Sequence, residues 1–210
     1  MIKSVIFDMD GVLIDAREWH YEALNRALDK FGFTITRVEH LTTYDGLPTK
    51  RKLQLLSQTG NLPLGLHGFI NDLKQLYTME IIATRCKPRF GQEYALARLK
   101  EGGYRLAVAS NSITETVRAM MQRSHLDAYL DAQISAQDVA RGKPDPDIYH
   151  KAMAAVGTSP EETLVVEDNE NGIKAATAAG CHLLVVENPD DVTHGTITAR
   201  IAEIDGGSTR

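Results

Sequence analysis

The stretch Val5-Ile6-Phe7-Asp8-Met9-Asp10-Gly11-Val12-Leu13 decides the fold. Its apolar, β-branched start predicts a buried strand, and the strand ends at two carboxylates, Asp8 and Asp10, followed by a glycine. Because an unpaired buried carboxylate is strongly destabilising, both acids are expected just beyond the carboxyl end of the strand, facing a cleft. Ligands bind at that edge of open parallel sheets. Asp-x-Asp-Gly also occurs in ordinary turns, and the rest of the chain must decide between the two interpretations.

The composition restricts the class of protein. A chain of 210 residues, 43% of them hydrophobic, can form one domain or one domain with a small insertion. The net charge of −5 argues against a nucleic-acid-binding surface. The two cysteines show neither metal-ligand spacing nor a disulfide framework, which favours a reducing compartment. No apolar run approaches the ~20 residues of a membrane span. We therefore expect a cytoplasmic monomer that binds neither nucleic acid nor membranes.

Helical periodicity follows the acidic stretch, with no strand in between. Amphipathic patterns cover residues 17–31, 49–58 and 65–84. Three consecutive helices at this place indicate a helical insertion rather than the next strand–helix–strand unit. We expect residues 16–88 to form this inserted cap domain.

From residue 91 onward, helices alternate with short apolar strands. The strands are predicted at residues 105–109, 132–135, 163–166 and 182–186. This alternation predicts an α/β fold with a Rossmann-like, doubly wound parallel sheet built from residues 1–15 and 89–210. Ser112-Ile113-Thr114-Glu115 is typical of a capping box, and the tail beyond Asn188 shows no clear pattern.

Polar residues with catalytic chemistry collect at the predicted strand ends and in one loop. They are Asp8, Asp10, Ser110, Asn111, Lys143, Glu167 and Asp168. Parallel strands bring their carboxyl ends to one edge, where two carboxylates at ~4 Å repel by about 4 kcal/mol at an effective dielectric constant of roughly 20. A divalent cation would relieve this repulsion. All candidate ligands are oxygens and none of the seven histidines lies in these motifs, which favours Mg²⁺ over zinc.

Four motifs resemble, in order, those of the haloacid dehalogenase-like hydrolase superfamily. They are Asp8-Met9-Asp10-Gly11-Val12, Ser110-Asn111, Gly142-Lys143-Pro144-Asp145-Pro146 and Glu167-Asp168-Asn169-Glu170-Asn171-Gly172-Ile173. The resemblance spans residues 1 to about 187. The helical insertion is similar to the cap of the subfamily that contains β-phosphoglucomutases and small phosphatases. Asn169 stands where the family usually has serine, and either residue can cap the following helix.

The resemblance implies phosphoryl transfer through a covalent aspartyl phosphate. Asp8 would attack phosphorus, because the acyl phosphate that it forms is labile enough to be cleaved again. Asp10 would protonate the leaving oxygen and then deprotonate the incoming water or hydroxyl group. Ser110 and Lys143 would bind phosphoryl oxygens, and Asn111 is expected to contact the substrate.

The resemblance also implies a magnesium site among the acidic residues. Mg²⁺ would be held by a carboxylate oxygen of Asp8, the backbone carbonyl of Asp10 and the carboxylate of Asp168, with Glu167 close by. The expected partner is a small phosphorylated metabolite.

Substrate choice is expected to come from the cap, which would close over the site. The resemblance implies substrate-binding roles for Thr49, Lys50 and Lys74, and a hinge or acid/base-supporting role for His20. Each has a simpler interpretation: Lys50 begins a basic run that is typical of a solvated helix face, Lys74 resembles a surface lysine, and a lone histidine on an apolar face is most often a core residue.

The cap also bears on the reaction type. In the β-phosphoglucomutase-like pattern an arginine occupies the position of Thr49 and grips a second phosphate with its planar fork. Threonine lacks that fork, so hydrolysis is expected, with a sugar phosphate mutase as the alternative. A phospho-acceptor signalling domain would lack the Asp-x-Asp spacing and the cap, and a dehalogenase would need neither Asp10 nor a metal.

Overall fold

The computed structural model describes residues 1–44 and 46–207. Asp45, expected in the cap, and residues 208–210, expected in the core domain, lie outside the described residues. The chain forms two compact units. The core unit is Met1–Asp15 with Cys86–Arg210, and the inserted unit is Ala16–Arg85, whereas the sequence pattern puts the end of the insertion at residue 88. Within the described part of the chain, every helix is too short or too polar to cross a bilayer.

A five-stranded parallel sheet forms the centre of the core unit. Its strands are β1 (Ser4–Phe7), β2 (Arg105–Ala109), β3 (Ala132–Ile134), β4 (Thr163–Glu167) and β5 (His182–Val185). The spatial order is β3-β2-β1-β4-β5, so β1 pairs with β2 on one side and with β4 on the other. This topology confirms the predicted doubly wound, Rossmann-like fold.

Helices connect and follow the strands. In chain order they are α1 (Arg17–Asp29), α2 (Arg37–Glu39), α3 (Thr49–Thr59), α4 (His67–Arg85), α5 (Phe90–Glu101), α6 (Thr114–Arg123), α7 (Asp147–Val156), α8 (Glu170–Ala178) and α9 (His194–Gly207). A π-helical turn covers His40–Tyr44, and 3-10 turns cover Leu64–Leu66, Asp127–Tyr129, Ala136–Asp138, Pro160–Glu162 and Pro189–Asp191. Helix α9 lies beyond Asn188, where the sequence shows no clear pattern, and it buries Ile197 and Ile201.

The centre of the sheet is inaccessible to solvent on both faces, as a parallel sheet with helices on each side requires. No surface is exposed on Phe7 of β1, which faces one side of the sheet, or on Ile6 of β1 and Val165 of β4, which face the other side. Ile148 and Tyr149 of α7 join the same apolar cluster and are also fully buried. This packing fixes the amino-terminal turn of α7 close to the carboxyl ends of the strands.

The inserted unit has its own apolar core. Helix α1 packs against α4, and α3 packs against α4. Leu24, Leu28, Leu53 and Ile70 are buried in one cluster of this unit. This unit is helical throughout its secondary structure in the described residues, as the sequence pattern predicts.

Candidate active site

Asp8 directly follows the central strand. Its backbone N–H donates to the carbonyl of Val166 at 2.9 Å, so the pairing between β1 and β4 continues for one residue beyond Phe7. The side chain is almost buried, with 8% of the residue exposed. Asp8 therefore lies at the carboxyl edge of the sheet, at the point where the chain order reverses and ligands bind in this class of fold.

The ammonium group of Lys143 joins the ends of two strands. Its Nζ donates to Asp8 Oδ1 at 2.5 Å and to Glu167 Oε1 at 2.5 Å. The Lys143 side chain is 5% exposed and that of Glu167 is 1% exposed. Hydrogen bonds between charged groups are shorter and stronger than neutral ones, and exclusion of water strengthens them further. One cation is thus shared by two carboxylates in a nearly dry site.

Glu167 accepts hydrogen bonds at both of its oxygens. The hydroxyl of Tyr149 donates to Oε1 at 2.6 Å, and the backbone N–H groups of Asp168 and Asn169 donate to Oε2 at 3.1 and 3.3 Å. A Cβ atom at Gly172 would lie 1.7 Å from Glu167 Oε1, so a glycine is required for the carboxylate to occupy this place. The carboxylate is therefore tightly held.

Sequence reasoning missed Tyr149 as a residue of the site. In helical periodicity it belongs to the apolar face of α7, where an aromatic residue is interpreted as core. The available signal is that a buried tyrosine, unlike phenylalanine, needs a partner for its hydroxyl. Burial and the negative charge of Glu167 raise the pKa of Tyr149 well above its ordinary value, so the phenol stays protonated and donates.

The two oppositely charged groups at the centre respond differently to burial. Burial raises the pKa of Asp8 well above its ordinary value; Lys143 lowers it, but the nearby carboxylates of Glu167, Asp10 and Asp168 raise it again. Burial alone would lower the pKa of Lys143, but Asp8 and Glu167 outweigh that effect and raise it. The lysine is therefore charged, whereas burial and the neighbouring carboxylates make Asp8 harder to ionise.

The acidic residues fit a divalent cation. Asp8, Glu167 and Asp168 each offer a carboxylate oxygen, and these oxygens lie within 4.8 Å of one another. A Cβ atom at Gly11 would lie 2.1 Å from Asp168 Oδ2, so a glycine is required at this position for the Asp168 carboxylate to lie next to the main chain after Asp10. An all-oxygen donor set of clustered carboxylates matches Mg²⁺.

Asp10 is linked to the end of β2 through Ser112. The hydroxyl of Ser112 donates to Asp10 Oδ2 at 3.2 Å, and its backbone N–H donates to Ser110 Oγ at 3.0 Å. The predicted capping box at Ser112 is therefore wrong. Helix α6 begins at Thr114 without a side-chain cap from its own preceding residue, and the Thr114 N–H donates instead to Gln137 Oε1 at 2.9 Å.

The remaining residues of the predicted site that belong to the core unit also lie at the carboxyl edge of the sheet. Ser110 follows β2 directly and is 1% exposed. The carboxamide of Asn111 pairs with the main chain of Lys143. Asn169 caps α8 through its side chain, which accepts from the Asn171 N–H at 3.0 Å, so the substitution for serine preserves the cap.

The predicted substrate-binding residues of the cap belong to the inserted unit. Thr49 is the first residue of α3, and Lys50 next to it is exposed. Lys74 Nζ lies 3.4 Å from His20 Nδ1, so these two residues on α4 and α1 are in contact. Their roles toward a substrate stay predictions.

Sequence comparison identifies the class of enzyme that this fold and site define. The profile of the haloacid dehalogenase-like hydrolases matches residues 5–186. The chain therefore belongs to this family, which confirms the resemblance of the four motifs and makes the protein a hydrolase of that family.

Individual relatives are similar along most of the chain. The phosphorylated carbohydrates phosphatase of Thermotoga maritima is 30% identical over 182 residues, covering 85% of this chain and 82% of that protein. The crystal structure of a mutant of CbbY from Rhodobacter sphaeroides in complex with xylulose-(1,5)bisphosphate matches with a TM-score of 0.80 and 27% identity, covering 88% of this chain and 86% of that chain. A β-phosphoglucomutase from Clostridium difficile shares the fold, with a TM-score of 0.85 and 20% identity over 100% of both chains.

Proposed function

We propose that this protein is a Mg²⁺-dependent phosphatase that hydrolyses a small phosphate monoester, such as a sugar phosphate, through a covalent phosphate on Asp8. The observation that carries the proposal is the nearly buried Asp8 carboxylate with the Lys143 ammonium 2.5 Å from its Oδ1 at the carboxyl edge of the sheet. The similarity to a phosphatase of phosphorylated carbohydrates supports the substrate class.

Asp8 acts as the nucleophile. Its carboxylate oxygen forms a bond to phosphorus while the bond from phosphorus to the ester oxygen breaks. Lys143 favours the ionised form of Asp8 and donates to phosphoryl oxygens as negative charge redistributes, together with the Ser110 hydroxyl. Mg²⁺, held by Asp8, Asp168 and the Asp10 backbone, would supply the further positive charge that the acids and the phosphoryl group require.

Asp10 moves the proton in both half-reactions. It gives its proton to the ester oxygen as the alcohol leaves, and then takes a proton from the water that attacks the aspartyl phosphate. The Ser112 hydroxyl, 3.2 Å from Asp10 Oδ2, holds the carboxyl group in place during both transfers. The products are the free alcohol and inorganic phosphate, and Asp8 and Asp10 return to their starting states.

Water rather than a sugar hydroxyl is proposed as the final acceptor. A mutase must hold a bisphosphate at both ends and reorient it, which a planar arginine fork on the cap does well and Thr49 does not. Lys50 and Lys74 carry only point charges. The cytoplasmic location and the monomeric state stay predictions.

The test is a substrate panel. The enzyme with Mg²⁺ is incubated with hexose and pentose phosphates, with and without a bisphosphate primer, while free phosphate and isomerised product are measured together. Stoichiometric phosphate release from one monophosphate is expected and would name the substrate. Conversion of β-glucose 1-phosphate to the 6-phosphate with little free phosphate would show a mutase, and no turnover of any ester would favour a signalling or binding role.

A further inference from the structure

We infer that Tyr149 is a positioning residue: its hydroxyl fixes the Glu167 carboxylate, and Glu167 in turn fixes the Lys143 ammonium beside Asp8. The expected effect of Tyr149 on kcat rests on the proposed phosphatase function. Its expected effect on the position of the Lys143 ammonium group is independent of that function.

The contacts of Tyr149 lead to this role. Its hydroxyl donates to Glu167 Oε1 at 2.6 Å, the same oxygen that accepts from Lys143 Nζ at 2.5 Å. The Lys143 ammonium also lies 5.0 Å from the centroid of the Tyr149 ring, within the range of a cation–π contact. Tyr149 thus contacts both members of the buried Lys143–Glu167 ion pair. Of these residues, Lys143 is the one that donates to Asp8.

The position of the ammonium group depends on how strongly each carboxylate attracts it. Asp8 and Glu167 share one cation, and the tyrosine hydroxyl offsets part of the negative charge on Glu167 Oε1. Without that donor, Oε1 would attract Lys143 more strongly, at the expense of the contact with Asp8. The Glu167 carboxylate would also lose the restraint on one of its two oxygens, because the backbone N–H groups hold only Oε2.

The apolar surroundings of the Tyr149 ring indicate that its hydroxyl has a specific role. Tyr149 is fully buried among apolar residues that include Ile148, Met153 and Val165. A phenylalanine would fill this volume without burying a polar atom, and a buried hydroxyl is unfavourable unless it is hydrogen-bonded. The hydroxyl therefore serves the contact with Glu167 rather than the packing of the core.

The kinetic test compares Tyr149→Phe with a matched control. Tyr129→Phe removes another tyrosine hydroxyl that contacts a glutamate in the core unit, Glu93 at 3.4 Å. We expect Tyr149→Phe to lower kcat about tenfold with KM changed less than about twofold, and Tyr129→Phe to change neither. In a Glu167→Gln background, Tyr149→Phe should cause no further loss, because its effect passes through the carboxylate. Equal kcat for wild type and Tyr149→Phe, or the same loss in both backgrounds, would overturn the inference.

A second readout does not need turnover. A buried lysine ammonium exchanges its protons slowly, so the ¹⁵Nζ resonance of Lys143 should be visible in the folded protein and absent from Lys143→Met. We expect this resonance to shift or broaden in Tyr149→Phe and to stay unchanged in Tyr129→Phe. An unmoved resonance in Tyr149→Phe overturns the inference even if kcat falls. A wild type that shows the resonance but hydrolyses no ester contradicts the proposed function instead.

Discussion

Asn111 and Lys143 are joined by two hydrogen bonds between the carboxamide of the first and the main chain of the second. Asn111 Nδ2 donates to the Lys143 carbonyl at 3.1 Å, and the Lys143 N–H donates to Asn111 Oδ1 at 2.9 Å. Asn111 therefore anchors the loop that carries the Lys143 ammonium group. The motif resemblance implies that Asn111 contacts substrate, and the carboxamide forms this anchoring contact with Lys143 in the same site.

Gly142→Ala should disturb this anchor. A Cβ atom at Gly142 would lie 2.4 Å from Asn111 Oδ1, so the carboxamide must move and Lys143 must move with it. Because small displacements of catalytic groups are costly, we expect kcat to fall by about tenfold or more. Gly91→Ala, where nothing lies within 4 Å of the new Cβ, is the control and should keep full activity. Equal rates for both variants would show that the Asn111–Lys143 contact is dispensable.

Asp8→Asn should abolish turnover and preserve the fold. The amide is nearly isosteric with the carboxylate, but it is a very poor nucleophile. Phosphate release is measured at saturating substrate, with circular dichroism as the check on folding. Asp190→Asn, which alters a side chain that is 80% exposed, should retain wild-type activity. Residual activity of Asp8→Asn above about 1% would contradict the covalent mechanism.

Mg²⁺ should stabilise the folded protein as well as activate it. A cation that binds only the native state raises stability by about 2.7 kcal/mol at roughly 100 times its Kd. We expect Tm to rise when Mg²⁺ is added to EDTA-treated protein, and this rise to be much smaller in Asp168→Asn. Glu170→Gln, which removes a 79% exposed acid near the site, is the control. Full activity after exhaustive EDTA treatment would refute the metal requirement.

The two cysteines should react only at high pH. Burial raises the pKa of Cys86 to about 11 and that of Cys181 to about 12. The thiolate is the reactive form, so a raised pKa lowers the reactive fraction at neutral pH. We expect the alkylation rate of the native protein, followed by mass spectrometry with iodoacetamide, to keep rising up to about pH 11 for Cys86. The urea-unfolded protein serves as control, and a native rate that levels off near pH 9 would contradict the shift.

The parts of the site that follow strands could be predicted from the sequence. Asp8 and Glu167 each end an apolar run, and parallel strands bring such ends to one edge regardless of the details of packing. The topology observed here, with β1 between β2 and β4, places these two acids on neighbouring strands. Lys143 bridges them from a loop, which the motif resemblance indicates and the spacing alone does not.

The parts that depend on long-range side-chain contacts could not be predicted. Helical periodicity shows that Tyr149 faces the sheet, but not that its hydroxyl meets Glu167. Helix α9 was missed because its apolar positions are interrupted by threonine, glycine and charged residues. Ser112 satisfies a local capping pattern, and nothing in that pattern reveals a partner 102 positions away in the chain.

Ser112→Ala separates the local from the long-range role of this serine. If its hydroxyl capped α6, the variant would lose about 1 kcal/mol of stability and keep its activity. Because the hydroxyl instead donates to Asp10 Oδ2, we expect an unchanged Tm and a several-fold lower kcat, with the rate constants of both half-reactions reduced. Thr36→Ala is the matched control, since Thr36 forms an actual capping box with Glu39 in the inserted unit. It should lower the free energy of unfolding and leave kcat unchanged. A Ser112→Ala variant that is destabilised but fully active would assign the serine to the helix after all.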